Sequence, residues 1–302
     1  MICEAMLQPQ DFAHHYIEVD GIRMHYAQAG HGPLLLVLLH GFPECWWSWR
    51  YQLRLFGDDA SLTRRFTVIA PDMRGYNETD APSWGYELDV LVQDVVTLIH
   101  ALGHNRAVLA GHDWGGNIAW CLAIARPDLV ERLIALNIPH PALYAEAIGQ
   151  NWRQMLRSWY ILFFQLPFVP EAAIRHNHYA AIESIFRSSA TNPACFTDQD
   201  IQIYKRALAR PGALRAALSY YRRLFQQGGR GLFKGTGMRV EMPTLMIWGE
   251  QDSALGKELT YGTERFVPDL QIKYLPNCSH WVQQECPAEV NGYLLEFLSD
   301  MA

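Results

Sequence analysis

Six short apolar runs constrain this chain more than any other feature: Leu34–His40 (LLLVLLH), Phe66–Asp72 (FTVIAPD), Ala107–Asp113 (AVLAGHD), Arg132–Asn137 (RLIALN), Thr244–Gly249 (TLMIWG) and Ile272–Asn277 (IKYLPN). None alternates strictly with polar residues, which is the pattern of a strand covered on both faces. Helical patterns lie between them, such as Tyr86–Gly103, which closes on a glycine, and Asn117–Val130. Strand alternating with helix predicts an α/β fold built on a mostly parallel sheet. The chain opens differently. YIEV and IRMHYAQA flank Asp20-Gly21, a dipeptide that favours a type I′ hairpin, so the sheet starts antiparallel.

One interval breaks the rhythm. Between Asn137 and Thr244 lies a stretch rich in helix formers and aromatics, bounded by Pro139 and Pro141 on one side and by Gly228–Gly237 (GGRGLFKGTG) on the other. It reads as an inserted helical lid, or cap, over 139–239, between two segments of a core at 1–138 and 240–302. Of the 302 residues, 50% are hydrophobic and 19% charged, which excludes a disordered chain. Aromatics reach 12%, a hint of an apolar cavity. The formal net charge is -6, and no basic run exceeds Arg64-Arg65 or Arg222-Arg223, so neither a nucleic-acid partner nor an anionic-membrane surface is indicated. Cys3, Cys45, Cys121, Cys195, Cys278 and Cys286 form no C-x-x-C pair, and MICEAMLQPQDFAHH lacks the apolar core of a secretion signal; a reduced, cytoplasmic protein is expected. No apolar run approaches the roughly 20 residues of a membrane span.

The third run leads into Gly111-His112-Asp113-Trp114-Gly115-Gly116. A nucleophile presented on a tight strand-to-helix turn needs small neighbours at these spacings, because the backbone doubles back and the helix packs closely. Serine is the usual occupant. Here it is Asp113, and no G-x-S-x-G occurs in the chain, so serine esterase chemistry is disfavoured. A carboxylate is ionised at neutral pH without a base, and it can attack an alkyl carbon to leave a covalent ester. The competing role for Asp113 is that of a helix N-cap.

Three segments occur in order and at strand ends: His40-Gly41-Phe42-Pro43-Glu44 continuing to Ser48-Trp49-Arg50, Asp72-Met73-Arg74-Gly75-Tyr76, and Gly111 to Gly116. In this the chain resembles the epoxide hydrolases of the α/β-hydrolase fold, from about Tyr16 to Leu298 and most loosely in the lid. It departs at Asn77-Glu78-Thr79, where many members carry glycine after the tyrosine. The resemblance implies an eight-stranded, mostly parallel sheet flanked by helices, with the chain order nucleophile, acid, histidine. It assigns Asp113 as nucleophile, Asp252 as acid and His280 as base, the last two lying just past expected strands. Glu250 is the competing acid, and Asn137 stands where some dehalogenases place theirs but cannot ionise.

By the same resemblance the amides of Phe42 and Trp114 form an oxyanion hole, Phe42-Pro43 is a cis peptide, and two lid tyrosines, Tyr160 and Tyr221, donate to the epoxide oxygen. Phe42, Trp114, Phe164 and Phe168 are expected to contact substrate, with Phe186, Leu224 and Phe225 in the apolar wall. The implied partners are a lipophilic epoxide and water, with no cofactor and no metal, in a monomer or homodimer. His176-Asn177-His178 reads as a solvated stretch rather than a metal site. A haloalkane dehalogenase on the same fold is the alternative, since the Trp114 indole can hold halide, although Phe42 lacks the donor that asparagine supplies there. A catalytically silent binding protein is a further alternative, disfavoured by the intact triad.

Overall fold

The structure, a computed structural model, describes residues 7–227 and 237–301. β1 (Ala13–Val19) and β2 (Ile22–Gly30) form the expected hairpin, with Asp20 at φ 43° and Gly21 at φ 75°, the paired positive angles of a type I′ turn. β2 then runs antiparallel to β4 (Phe66–Pro71). The strands β3 (Leu34–Leu39), β5 (Ala107–His112), β6 (Val130–Leu136), β7 (Thr244–Gly249) and β8 (Leu270–Leu275) continue parallel to it. The sheet order is β1-β2-β4-β3-β5-β6-β7-β8. Every residue of β5 and β7 is buried, which is why those runs carry no polar alternation. β6 and β8 each begin two residues before their apolar runs, because Val130 pairs with Ala107 and Leu270 with Thr244.

The chain leaves β3 for β4 on one side and returns to β5 on the other, so the carboxyl ends of β3 and β5 flank a switch point where such sheets bind ligands. α1 (Arg50–Asp58), α2 (Ala60–Arg65) and α3 (Leu88–Ala101) pack against the β1, β2 and β4 side. α4 (Trp114–Ala125) packs on β5, β6 and β3. It begins against the end of β3, where a Cβ at residue 115 would lie 2.2 Å from the Leu39 carbonyl oxygen; only glycine permits that approach.

Between β6 and β7 the described residues form α5 (Pro141–Gln150), α6 (Trp152–Arg157), α7 (Trp159–Phe163), α8 (Val169–Ser189), α9 (Asp198–Ala209) and α10 (Ala213–Gln227). Asn151 caps α6 through the amides of Arg153 and Gln154, and a Thr197–Asp200 capping box starts α9. α8 is broken at His176–Tyr179, where Asn177, His178 and Tyr179 all have positive φ. Of the glycine-rich stretch expected to close the insertion, residues 228–236 lie outside the described residues. α11 (Val282–Glu285) and α12 (Pro287–Phe297) complete the chain. Among the described residues no helix is long and apolar enough to cross a membrane.

Candidate active site

Asp113 stands between β5 and α4 at φ 49° and ψ -118°. A residue with a Cβ holds such a conformation only where its surroundings enforce it. It occupies the N-cap position, yet its side chain caps nothing in α4. Instead Oδ1 accepts the Phe42 amide at 2.9 Å, and Oδ2 lies 3.7 Å from His280 Nε2. The loop after β3 reaches this close because residue 41 is glycine; a Cβ there would fall 2.7 Å from Asp113 Oδ1. The Phe42-Pro43 peptide is cis. The Trp114 amide is the first of α4.

Three strand ends supply the other side of the site. Asn137 follows β6, Asp252 lies just past β7, and His280 comes after β8. His280 Nδ1 donates to Asp252 Oδ2 at 2.6 Å, leaving Nε2 turned toward Asp113. Asp252 Oδ1 accepts the amides of Ala254 and Leu255 at 2.7 and 2.9 Å, while Oδ2 also accepts Asn137 Nδ2 at 2.7 Å. Burial alone would raise the Asp252 carboxyl, but His280 and these donors bring it below its ordinary value. Burial likewise pulls the His280 imidazole down, and Asp252 and then Asp113 outweigh it, lifting the ring to about 9. Glu250, the competing acid, pairs with Lys257 at 2.6 Å. The role of Asn137 as a partner of Asp252 had no local signal in the sequence.

Beneath His280 runs a buried polar network that the motifs alone do not reveal. His112 presents Nδ1 to Glu44 Oε2 and Nε2 to the His280 carbonyl oxygen, each at 2.8 Å. Glu44 Oε2 also accepts the Gly41 amide at 2.8 Å, and Oε1 accepts the side chains of Gln283 and Gln284 at 3.0 and 2.8 Å. Gln284 Oε1 accepts Arg50 at 2.8 Å and the Tyr204 hydroxyl, on α9, at 2.6 Å. The loops carrying Phe42 and His280 therefore share a single carboxylate, linked onward to an inserted helix.

Tyr160 from α7 and Tyr221 from α10 roof the site. The Tyr221 ring packs edge-on against Trp114, Phe42 and Phe164 at centroid distances of 5.1, 5.5 and 5.0 Å, and Tyr160 lies 5.9 Å from Tyr221. Burial raises both phenols well above their ordinary range. The Asp113 charge adds to the rise in each, and Tyr144 does so for Tyr160. Both are thus hydrogen-bond donors at any working pH. Neighbouring Tyr220 is fully buried and donates to the Arg74 carbonyl at 2.8 Å, anchoring α10 to the core. The structure corrects part of the expected apolar wall. Phe168 is 83% exposed at the left-handed N-cap of α8, so it does not line the site, and Phe225 is also exposed. Phe186 packs on Tyr204 and Trp281 instead.

The family described as alpha/beta hydrolase fold matches residues 35–287. The chain is 38% identical to epoxide hydrolase 4 of Homo sapiens over 297 residues, 95% of this chain and 79% of that protein. The chain belongs to the epoxide hydrolases of the α/β-hydrolase fold. This epoxide hydrolase family member is also 40% identical, over 94% of its length and 97% of the other, to the AB hydrolase superfamily protein YfhM of Bacillus subtilis. A crystal structure of the Bacillus megaterium epoxide hydrolase in complex with an inhibitor matches it with a TM-score of 0.86 at 33% identity, covering 95% of this chain and 100% of that one.

Proposed function

We propose that the protein hydrolyses lipophilic epoxides to vicinal diols through a covalent ester on Asp113, with residues 139–239 acting as a cap on a core of 1–138 and 240–302. The observation that carries this reading is the opposition of Asp113 Oδ2 and His280 Nε2 at 3.7 Å beneath two protonated phenols. Asp113 Oδ2 attacks one ring carbon and the carbon–oxygen bond breaks. Its electron pair goes to the ring oxygen, which takes a proton from Tyr160 or Tyr221. A hydroxyalkyl ester results.

Water then attacks Asp113 Cγ while His280 Nε2 accepts its proton and Asp252 holds the imidazole in place. The negative charge that develops falls on Oδ1, which already accepts the Phe42 amide; the Trp114 amide is the second donor. Collapse of the intermediate breaks the Cγ–Oδ2 bond and releases the diol, whose leaving oxygen takes the proton from His280; the remaining proton on the Asp113 carboxyl returns to the phenolate left by Tyr160 or Tyr221, which regenerates the carboxylate and the phenol. Phe42, Trp114 and Phe164 supply an apolar floor and wall suited to an uncharged substrate. The scheme calls for no metal and no organic cofactor.

Single turnover with excess protein in oxygen-18 water tests the scheme. The first diol formed carries unlabelled oxygen from Asp113, and the label enters the carboxylate. Solvent label in that first diol would mean direct attack by water and would remove Asp113 as nucleophile. His280→Gln is expected to accumulate the ester, detectable as a mass increase on the peptide containing Asp113.

A further inference from the structure

Gln154, on α6, is fully buried where the insertion meets the loop after β7, and both of its side-chain N–H groups are engaged. Nε2 donates to Ser158 Oγ at 3.1 Å and to the Ala254 carbonyl oxygen at 2.8 Å, while Oε1 accepts the Gly256 amide at 3.2 Å. Turning the side-chain amide over would set two donors together at Gly256 and two acceptors at Ala254, so one orientation fits.

The Ala254 carbonyl and the Leu255 amide belong to one planar peptide unit and point in opposite directions. On the far side of that unit the Leu255 amide donates to Asp252 Oδ1 at 2.9 Å, and Asp252 Oδ2 accepts His280 Nδ1 at 2.6 Å. A line of hydrogen bonds thus runs from Gln154 through a single rigid peptide to the acid and the imidazole. Each bond in such a line polarises the next, and holding the carbonyl holds the direction of the amide.

The other branch reaches the roof. Ser158, also buried, stands between α6 and α7, and its Oγ is shared with the Tyr144 hydroxyl, on α5, at 3.2 Å. α7 has five residues, too few to stay helical without help from its surroundings. The place of Tyr160 is therefore decided by what grips the two ends of α7. Arg222 grips the far end by donating to the Phe164 and Leu166 carbonyls at 2.8 and 3.0 Å, and Ser158, held by Gln154 and Tyr144, fixes the near one. The Arg157–Glu258 pair also joins α6 to the loop after β7, but at 3.5 Å and with both side chains more than a third exposed it holds little.

We propose that Gln154 is a positioning residue for both halves of the reaction, aiming Asp252 through the Ala254–Leu255 peptide and setting Tyr160 through Ser158. The inference rests on the proposed function. The proton donor of the first step and the acid of the second then keep register with each other, because one side chain enforces both.

The test compares Gln154→Met, which keeps the volume and removes all three bonds, with Ser158→Ala, which cuts the branch to α7 and spares the branch to Asp252. Rapid-quench kinetics should show Gln154→Met slowing ester formation and ester hydrolysis by at least about fivefold each, and Ser158→Ala slowing ester formation alone. In a Tyr160→Phe background the effect of Gln154→Met on ester formation should shrink below about twofold, since its route through that phenol is gone. With Asp252 less firmly aimed, the nitrogen-15 titration midpoint of His280 should fall by at least about half a unit in Gln154→Met and stay in place in Ser158→Ala. Equal slowing of ester formation by Gln154→Met in both backgrounds, or an unmoved His280 midpoint, overturns the proposal. Should Gln154→Met not fold, Ser158→Ala decides: equal loss in both steps overturns it, and loss confined to ester formation supports it. The titration needs no substrate, so absence of epoxide turnover would fell the proposed function and leave the Asp252 branch still open to test, whereas turnover with an unmoved midpoint fells this inference alone.

Discussion

In the free protein His280 holds its proton too firmly to act as a base near neutrality, since the ring is lifted to about 9. The proposed first step supplies the remedy, because esterification turns the Asp113 anion into a neutral group. Oδ2 lies 3.7 Å from Nε2. A unit charge pair at that separation is worth about 4 kcal/mol at an effective dielectric near 20, and about half that once solvent reaching the site is allowed for. At 1.36 kcal/mol per pKa unit this lowers the imidazole by about 1.5 to 3 units, to near 7. Asp113→Asn imitates the charge change without altering shape. The imidazole resonances of His280, followed by nitrogen-15 NMR against pH, should titrate near 9 in the unaltered protein and near 7 in the variant. A midpoint above about 8 in Asp113→Asn would show that Asp252 alone retains the proton. The reasoning would then be refuted.

The same shift makes stability depend on pH. The folded value of His280, about 9, exceeds the ordinary 6.5, so its contribution is full below pH 6.5 and is lost as pH rises through 9; it is on the order of 3 kcal/mol at most. Urea midpoints should fall between pH 7 and 9 in the unaltered protein and stay flatter in His280→Gln. Tyr160→Phe and Tyr221→Phe should each slow ester formation by about 10²- to 10⁴-fold while leaving ester hydrolysis nearly unchanged. Rapid-quench measurement of both steps would expose a merely structural role as an equal loss in each. Glu44→Ala strands the donors of Gly41, His112, Gln283 and Gln284 and should cost about 3 to 5 kcal/mol in denaturant unfolding. A loss below about 1 kcal/mol would show the network to be replaceable by water.

Much of the framework was legible because its signals are local. Buried strands announce themselves by unbroken apolar runs, the hairpin by Asp20-Gly21, and the elbow by small residues around Asp113. The chain order of the resembling family points to Asp252 and His280, and the structure bonds Asp252 to His280 and turns His280 toward Asp113. What escaped depends on neighbours across the sheet. Asn137 meets Asp252 only because β6 and β7 are adjacent, and Glu44 meets His112 because β3 and β5 are. Helical spacing in the insertion between β6 and β7 is also plain, but periodicity divides a helix into faces without saying which one turns inward. Periodicity therefore points Phe168 at the pocket, whereas a turn at φ 64° before Pro170 directs it to solvent.

The contact between residue 115 and the Leu39 carbonyl has a wider consequence. Leu39 leads straight into the His40-Gly41-Phe42 loop, whose amide grips Asp113, and residue 115 opens the helix that Asp113 precedes. A methyl group at 115, 2.2 Å from that carbonyl, would push apart Asp113 and the Phe42 amide, the pair proposed to attack the substrate and to hold the charge that follows. The two behave as one mechanical part with a single tolerance. Redesign of this hydrolase can exchange the roof or the wall piecemeal, but Asp113, the proposed nucleophile, and its amide clamp must be inherited together.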